Sequence, residues 1–141
     1  MILLDTNVLS ALMRLESERE VATWLATQHI DRLATSAPTI FEVRYGIELQ
    51  PVGRRRRALE ASFDLVMGSL LDHRVIPFDA DAARYAAKVL DIRKRRGRTI
   101  SIPDSQIAGL ALAQSLPVAT RDEVDFSDLG IQLINPWTIG V

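Results

Sequence analysis

Five acids stand where a carboxylate could be held still rather than left in water: Asp5 in "MILLDTN", Glu42 in "SAPTIFEVRYGIEL", Asp104 in "SIPDSQIAGLALA", and Asp122 and Asp125 in "ATRDEVDFSDLG". Asp5 ends an apolar run and is followed by Thr6 and Asn7; the same position also suits a plain helix N-cap. Helical spacing puts Glu42 on one stripe with Pro38, Tyr45, Gly46 and Leu49, flanked by Phe41 and Val43, so the sequence predicts a glutamate with little access to water. A carboxylate buried in that way needs a proton or a cation. Ser101 can cap a helix with Pro103 in its first turn, which leaves Asp104 near the helix start, where the macrodipole favours its ionised form. A surface acid would sit there equally well, but Ile107, Ala108 and Ala111 follow at i+3, i+4 and i+7, and this predicts a carboxylate aimed inward. Asp122 lies two residues past Thr120 at a strand end, Asp125 is the next candidate, and Asp128 reads as a cap or surface residue.

If four such carboxylates converge near 4 Å, their repulsion amounts to several kcal/mol each at an effective dielectric of ~20. Convergence therefore calls for a metal. The donors are all oxygen, the chain has no cysteine, and His29 and His73 read as surface residues near helix ends. That set suits Mg²⁺, with Mn²⁺ as the alternative, rather than zinc. Carboxylate-bound Mg²⁺ keeps several waters, so it activates one of them and neutralises a phosphate oxygen in the same site.

Short apolar runs at 2–4, 32–35, 74–78, 117–120 and 131–134 predict strands. Between them, Val21, Trp24 and Leu25, then Leu59 to Leu71, then Ala82, Ala83, Ala86, Val89 and Leu90 recur at helical spacing. Asp79 is placed to cap the last of these and Gly97 to stop it. Alternating strands and helices predict an α/β fold with a mostly parallel sheet covered on both faces. Ligands bind such sheets beyond the carboxyl ends of the strands, and Asp5, the "SAPTIFE" segment and Asp122 all follow strands.

With 141 residues, 48% hydrophobic and 25% charged, the sequence predicts one domain over 1–141. No apolar run approaches the ~18 residues of a membrane span. Only four residues precede Asp5, so no signal peptide is expected, and a cytoplasmic location follows. A net charge of −1 and a pI of 6.1 give no global footprint for nucleic acid. Positive charge is nevertheless gathered in "GRRRR" at 53–57 and "RKRRGR" at 93–98. These runs read either as solvated helix ends complementing the dipole or as phosphate contacts. Arg93, Lys94, Arg95, Arg96 and Arg98 are the stronger RNA-binding candidates, because that run immediately precedes "TISIPD" and Asp104.

"LLDTNVL", "FEVRYGIEL", "DSQIAGLALA" and "ATRDEVDF", in this order and spacing, together with "RVIPFDADAARYAA" and the closing "INPW", resemble the PIN-domain ribonucleases, most closely the VapC and FitB type of toxin. The resemblance implies a PIN-like three-layer α/β/α sandwich and a Mg²⁺-dependent ribonuclease. It places the family's first three acids on Asp5, Glu42 and Asp104. The fourth falls on Asp122 or Asp125: relatives carry "TRN" with an aspartate three residues later, and this chain has "TRD". Asp5, Glu42, Asp104 and Asp122 would then be catalytic, Asp5, Asp104, Asp122 and Asp125 would hold metal, and Thr6, Asn7 and Thr120 would orient them. Also implied are a homodimer or a toxin–antitoxin hetero-oligomer, and a small cognate antitoxin with a DNA-binding domain and a wrapping tail, for which 59–71 offers apolar surface. Two other readings compete. A haloacid-dehalogenase phosphatase wants a second aspartate at residue 7, where Asn7 stands. A catalytically inactive PIN-fold module would bind RNA or protein without cleaving.

Overall fold

The computed structural model describes residues 1–139, so the last two residues of the expected 1–141 unit lie outside the described residues. Five short strands, β1 (Ile2–Leu4), β2 (Leu33–Ser36), β3 (Val75–Ile76), β4 (Val118–Ala119) and β5 (Leu133–Ile134), form one sheet in the order β3-β2-β1-β4-β5. Every pairing is parallel, with Leu3 opposite Ala34 on one side and Val118 on the other. The chain moves outward from β1 through β2 to β3, then returns to the far side of β1 for β4. The switch in strand order therefore falls at β1, where the crevice of such a sheet is expected.

Alternation along β1 sends consecutive leucines to opposite layers. Leu4 packs with α1 (Thr6–Leu12), α2 (Arg19–Ala26), α3 (Ala37–Glu48) and α4 (Arg54–Leu65), through Val8, Leu9, Trp24, Val43, Ile47 and Phe63. Leu3 packs on the other face with α5 (Ala80–Arg95) and α6 (Ile102–Gln114), through Ala82, Val89, Ile107 and Leu110. These layers make the three-layer α/β/α sandwich. Helices α5 and α6 approach so closely that a Cβ on Gly109 would meet the Ala82 carbonyl oxygen and the Ala86 amide nitrogen at 2.6 Å each. The predicted caps hold: Ser36 accepts from the Thr39 amide, Asp79 from the Ala82 amide and Ser101 from the Asp104 amide, and Gly97 takes φ +69° after α5.

Two expectations about apolar faces are corrected. On α3 the core-facing residues are Val43 and Ile47, whereas Tyr45 and Leu49, which share the Glu42 stripe, are exposed along with Phe41. Residues 59–71 keep Leu65 exposed and Leu59 and Leu70 half-buried, while most of their other large apolar side chains face inward. α4 stops at Leu65, a π-type turn follows over Val66–Leu70, and Phe63, Val66, Met67 and Leu71 are buried against the sheet. Among the described residues no helix is long and apolar enough to cross a membrane.

Candidate metal centre

Asp5 leaves β1 in extended conformation and caps α1, so the cap and the candidate ligand are one residue. It is buried at 2% exposure, and each oxygen is held. The Thr6 amide donates to Oδ1 at 2.7 Å, the Thr120 hydroxyl to Oδ2 at 2.8 Å, and the Asn7 side-chain amide lies 3.5 Å from Oδ2. Burial raises the Asp5 carboxyl to about 7, the donors Thr120 and Thr6 pull it back down, and the charges of Asp104 and Glu42 push it further up.

Glu42 arrives from the second turn of α3 and is half-buried rather than closed off from water. The Thr6 hydroxyl donates to its Oε1 at 2.6 Å, and the Thr39 hydroxyl lies 3.4 Å from that of Thr6. Asp104 sits in the first turn of α6, also half-buried. Burial raises its carboxyl to about 6 against the lowering effect of the Ser101 hydroxyl, and the charges of Asp125, Glu42 and Asp122, in that order, add to the rise. Burial thus outweighs the helix dipole at this position.

Asp122 is exposed, and Asp125 is half-buried on α7 (Glu123–Phe126), a single turn where the sequence suggested a loop or short turn. Asn7 donates to Asp122 Oδ2 at 3.0 Å and accepts the Arg121 amide through its Oδ1 at 3.2 Å. The Asp122 amide in turn donates to the Thr120 hydroxyl at 3.0 Å. Asn7 therefore stands between Asp5 and Asp122, while Asp125 is the acid whose charge weighs most on Asp104. Asp128, as predicted, is a surface residue, paired with Arg98 at 3.3 Å.

The structure thus brings Asp5, Glu42, Asp104, Asp122 and Asp125 to one rim, beyond the ends of β1 and β4. Among the described residues no ion pair involves any of the five. Nor do three of them lie close enough together, as the side chains stand, to hold an ion. An all-oxygen donor set carrying uncompensated charge, with two carboxyls pushed above their usual range, fits a hard divalent cation.

The arginine run does not behave as one surface. Arg93 is 2% exposed, and its guanidinium donates to the carbonyl oxygens of Asp125 at 2.9 Å and Ser127 at 2.7 Å, which removes it from the phosphate-binding candidates. Its inward position was legible, since Ala82, Ala86, Val89 and Arg93 recur at spacings of four, three and four. Arg95 pairs with Asp91 and Arg98 with Asp128, which leaves Lys94 and Arg96 exposed and without an acid partner among the described residues. Thr39 was not foreseen, although it follows Ser36 on the same turn as the helix start. Beside Glu42 and Thr6 a cavity of about 230 Å³ opens, lined by Met13, Arg14, Gly46 and Leu59 among others.

Residues 2–131 match the PIN domain family model. The chain is 40% identical over 137 residues, 97% of its length and 98% of the relative's, to the VapC ribonuclease Y4jK of Sinorhizobium fredii. It is 34% identical over 137 residues, 97% of its length and 99% of the relative's, to toxin FitB of Neisseria gonorrhoeae. A solved structure of FitAB bound to an IR36 DNA fragment superposes with a TM-score of 0.87 at 33% identity, covering 100% of this chain and 99% of that one.

Proposed function

The chain belongs to the PIN-domain family, among the VapC and FitB toxins, and from that premise we propose that it is a Mg²⁺-dependent ribonuclease toxin, one domain long, acting in the cytoplasm under the restraint of an antitoxin. The observation that carries this reading is a rim of five acids with no arginine or lysine in ion-pair contact among the described residues, two of them with carboxyls raised by burial and by neighbouring acids of the rim.

Asp5, Asp104, Asp122 and Asp125 would hold the ion, with Mn²⁺ able to replace Mg²⁺. A bound divalent ion supplies charge neutralisation at the phosphate and acidification of a water. The chain's own residues do the rest. Thr120 and the Thr6 amide fix the Asp5 carboxylate in one orientation and favour its ionised form. Asn7 holds Asp122 beside it. Glu42, anchored through Oε1 by Thr6, keeps Oε2 to accept a proton from the attacking water.

The relative solved as FitAB on DNA supports an antitoxin partner with a DNA-binding domain. An arginine from such a partner suits this rim, because guanidinium pairs bidentately with carboxylates. The exposed, stacked pair Phe41 and Tyr45, with Leu49 and Ile102, supplies apolar surface for a second copy of the chain. A PIN-fold module that binds without cleaving is the second reading, and it draws on the absence of three acids close enough to hold an ion as they stand.

Incubating the purified chain with single-stranded RNA in Mg²⁺, Mn²⁺ or EDTA separates the two readings. Metal-dependent cleavage lost in Asp5→Asn supports the nuclease; RNA binding without cleavage in either metal leaves the binding module. Sequencing RNA ends after induction in cells would then identify whether transfer, ribosomal or messenger RNA is cut.

A further inference from the structure

We propose that Arg93 is a positioning residue of the acid rim: from α5 it clamps the carboxyl end of the turn of residues 122–127, and so sets Asp125 against Asp104 at the start of α6. This rests on the metal-site reading above.

Three features of the residue point there. Its stripe on α5 is otherwise apolar (Ala82, Ala86, Val89), so packing alone would be met by leucine or methionine. Instead a guanidinium is buried with no carboxylate in ion-pair contact among the described residues, an arrangement that is costly unless the charge is used. A single nitrogen, Nη2, donates to two carbonyl oxygens, those of Asp125 and Ser127, while Nε is the one buried side-chain nitrogen or oxygen left without a partner among the described residues. Geometry toward the turn has been kept at the expense of the arginine's own satisfaction.

The turn needs such a clamp. α7 has four residues and no side-chain N-cap, and a single helical turn does not sustain itself. At its start Asp122 is held by Asn7 and Thr120, and Glu123 accepts from Asn135; toward its end the other fixed points are Phe126, buried in the core, and the solvent-exposed pair Arg98–Asp128. A cation on the last carbonyls of a helical turn is favourably placed for the dipole as well. With the Asp125 carbonyl held, the Asp125 carboxylate has a fixed origin on α7, which packs against α6, the helix that carries Asp104 in its first turn.

The test uses the full chain with Arg93→Gln and Arg93→Lys. Mn²⁺ is titrated by electron paramagnetic resonance, folding is followed by circular dichroism, and amide hydrogen exchange is read over 122–127. Arg93→Gln should bind Mn²⁺ roughly 10–100-fold more weakly per folded molecule, the loss typical when a group supporting metal ligands is removed. Exchange at Asp125 and Ser127 should accelerate. Arg93→Lys, which keeps the charge but not the planar guanidinium, should fall between. Folded Arg93→Gln with Mn²⁺ affinity within twofold of the parent would overturn the proposal. If Arg93→Gln does not fold, Arg93→Lys decides by the same criterion. If the parent itself binds no Mn²⁺, the metal reading fails separately, and parent-like exchange over 122–127 in Arg93→Lys would then overturn the clamp.

Discussion

The Thr120 hydroxyl donates to Asp5 Oδ2 at 2.8 Å across 115 residues of sequence, and its own Oγ1 accepts the Asp122 amide. One side chain at the end of β4 therefore favours the ionised form of the buried acid, against the larger effect of burial, and helps to position the exposed one.

Thr120→Val removes a donor that favours ionised Asp5, so the carboxyl should rise above about 7. A metal needs the deprotonated form, so the pH of half-maximal Mn²⁺ binding should move up by about one unit, the worth of one hydrogen bond to a charged group. Mn²⁺ titrations between pH 5.5 and 9 would show it; an unmoved midpoint would mean that the hydroxyl does not tune Asp5.

Stability without metal should fall as pH rises. The folded Asp5 carboxyl, at about 7 against 3.8, and that of Asp104, at about 6, keep their protons where the unfolded chain has lost them. The fold therefore binds more protons than the unfolded chain between about pH 4 and 7 and weakens across that window. In EDTA the Tm should decline from pH 4.5 to 7.5 from these two groups, and saturating Mg²⁺ should flatten the decline. A Tm rising over that range in EDTA would contradict the raised carboxyls.

Asp5→Asn, Glu42→Gln and Asp104→Asn should each abolish RNA cleavage while leaving the domain folded, with Asp5→Asn as stable as the parent or more so at pH 7.5. Each change removes a like charge from the rim, and the Thr120 hydroxyl can accept from an asparagine amide. Asp122→Asn should be milder, because Asp122 is exposed and Asp125 stands nearby. In cells, Asp5→Asn should no longer arrest growth, and arrest as strong as the parent's would dissociate toxicity from the acid rim.

If Lys94 and Arg96 contact RNA phosphates, replacing both with alanine should flatten the plot of log affinity against log salt by roughly 1.4, at ~0.7 per contact for a single strand. Arg93→Gln should leave that slope unchanged, since its guanidinium is inside. An unchanged slope in the double variant would leave the run as a solvated helix end.

Gly109→Ala should lower stability by about 3 kcal/mol, because the new methyl meets backbone atoms of α5 that cannot turn away. The corresponding Tm loss is roughly 10 °C for a chain of this size.

Periodicity and caps made most of the fold legible. β1 was read to the residue, and Ser36, Asp79, Ser101 and Gly97 punctuate the helices as their chemistry dictates. The rim acids were legible because each follows a strand or opens a helix. Glu42 was read as more secluded than it is, because stripe neighbours such as Tyr45 and Leu49 are apolar yet exposed, and a single sequence cannot separate a core face from an outward apolar one. Arg93 was misassigned for the opposite reason: the charge of "RKRR" outweighed the inward spacing that continued beneath it. The bridge through Asn7 joins residues more than a hundred apart, which no local pattern encodes.

The place of β1 in the middle of the sheet sets a timetable for synthesis. Of the five strands, β1 leaves the ribosome before the others, yet it is flanked in the finished fold by β2 and β4, and β4 begins at Val118. Until then Asp5 lacks the hydroxyl of Thr120, the Asn7 side-chain amide lacks the Asp122 carboxylate to which it donates at 3.0 Å, and one edge of β1 has no neighbour. A nascent chain of a hundred residues can carry Asp5 and Glu42 but not the assembled rim, so whatever chemistry the rim performs is withheld until residues 104–125 have been made and β4 has docked.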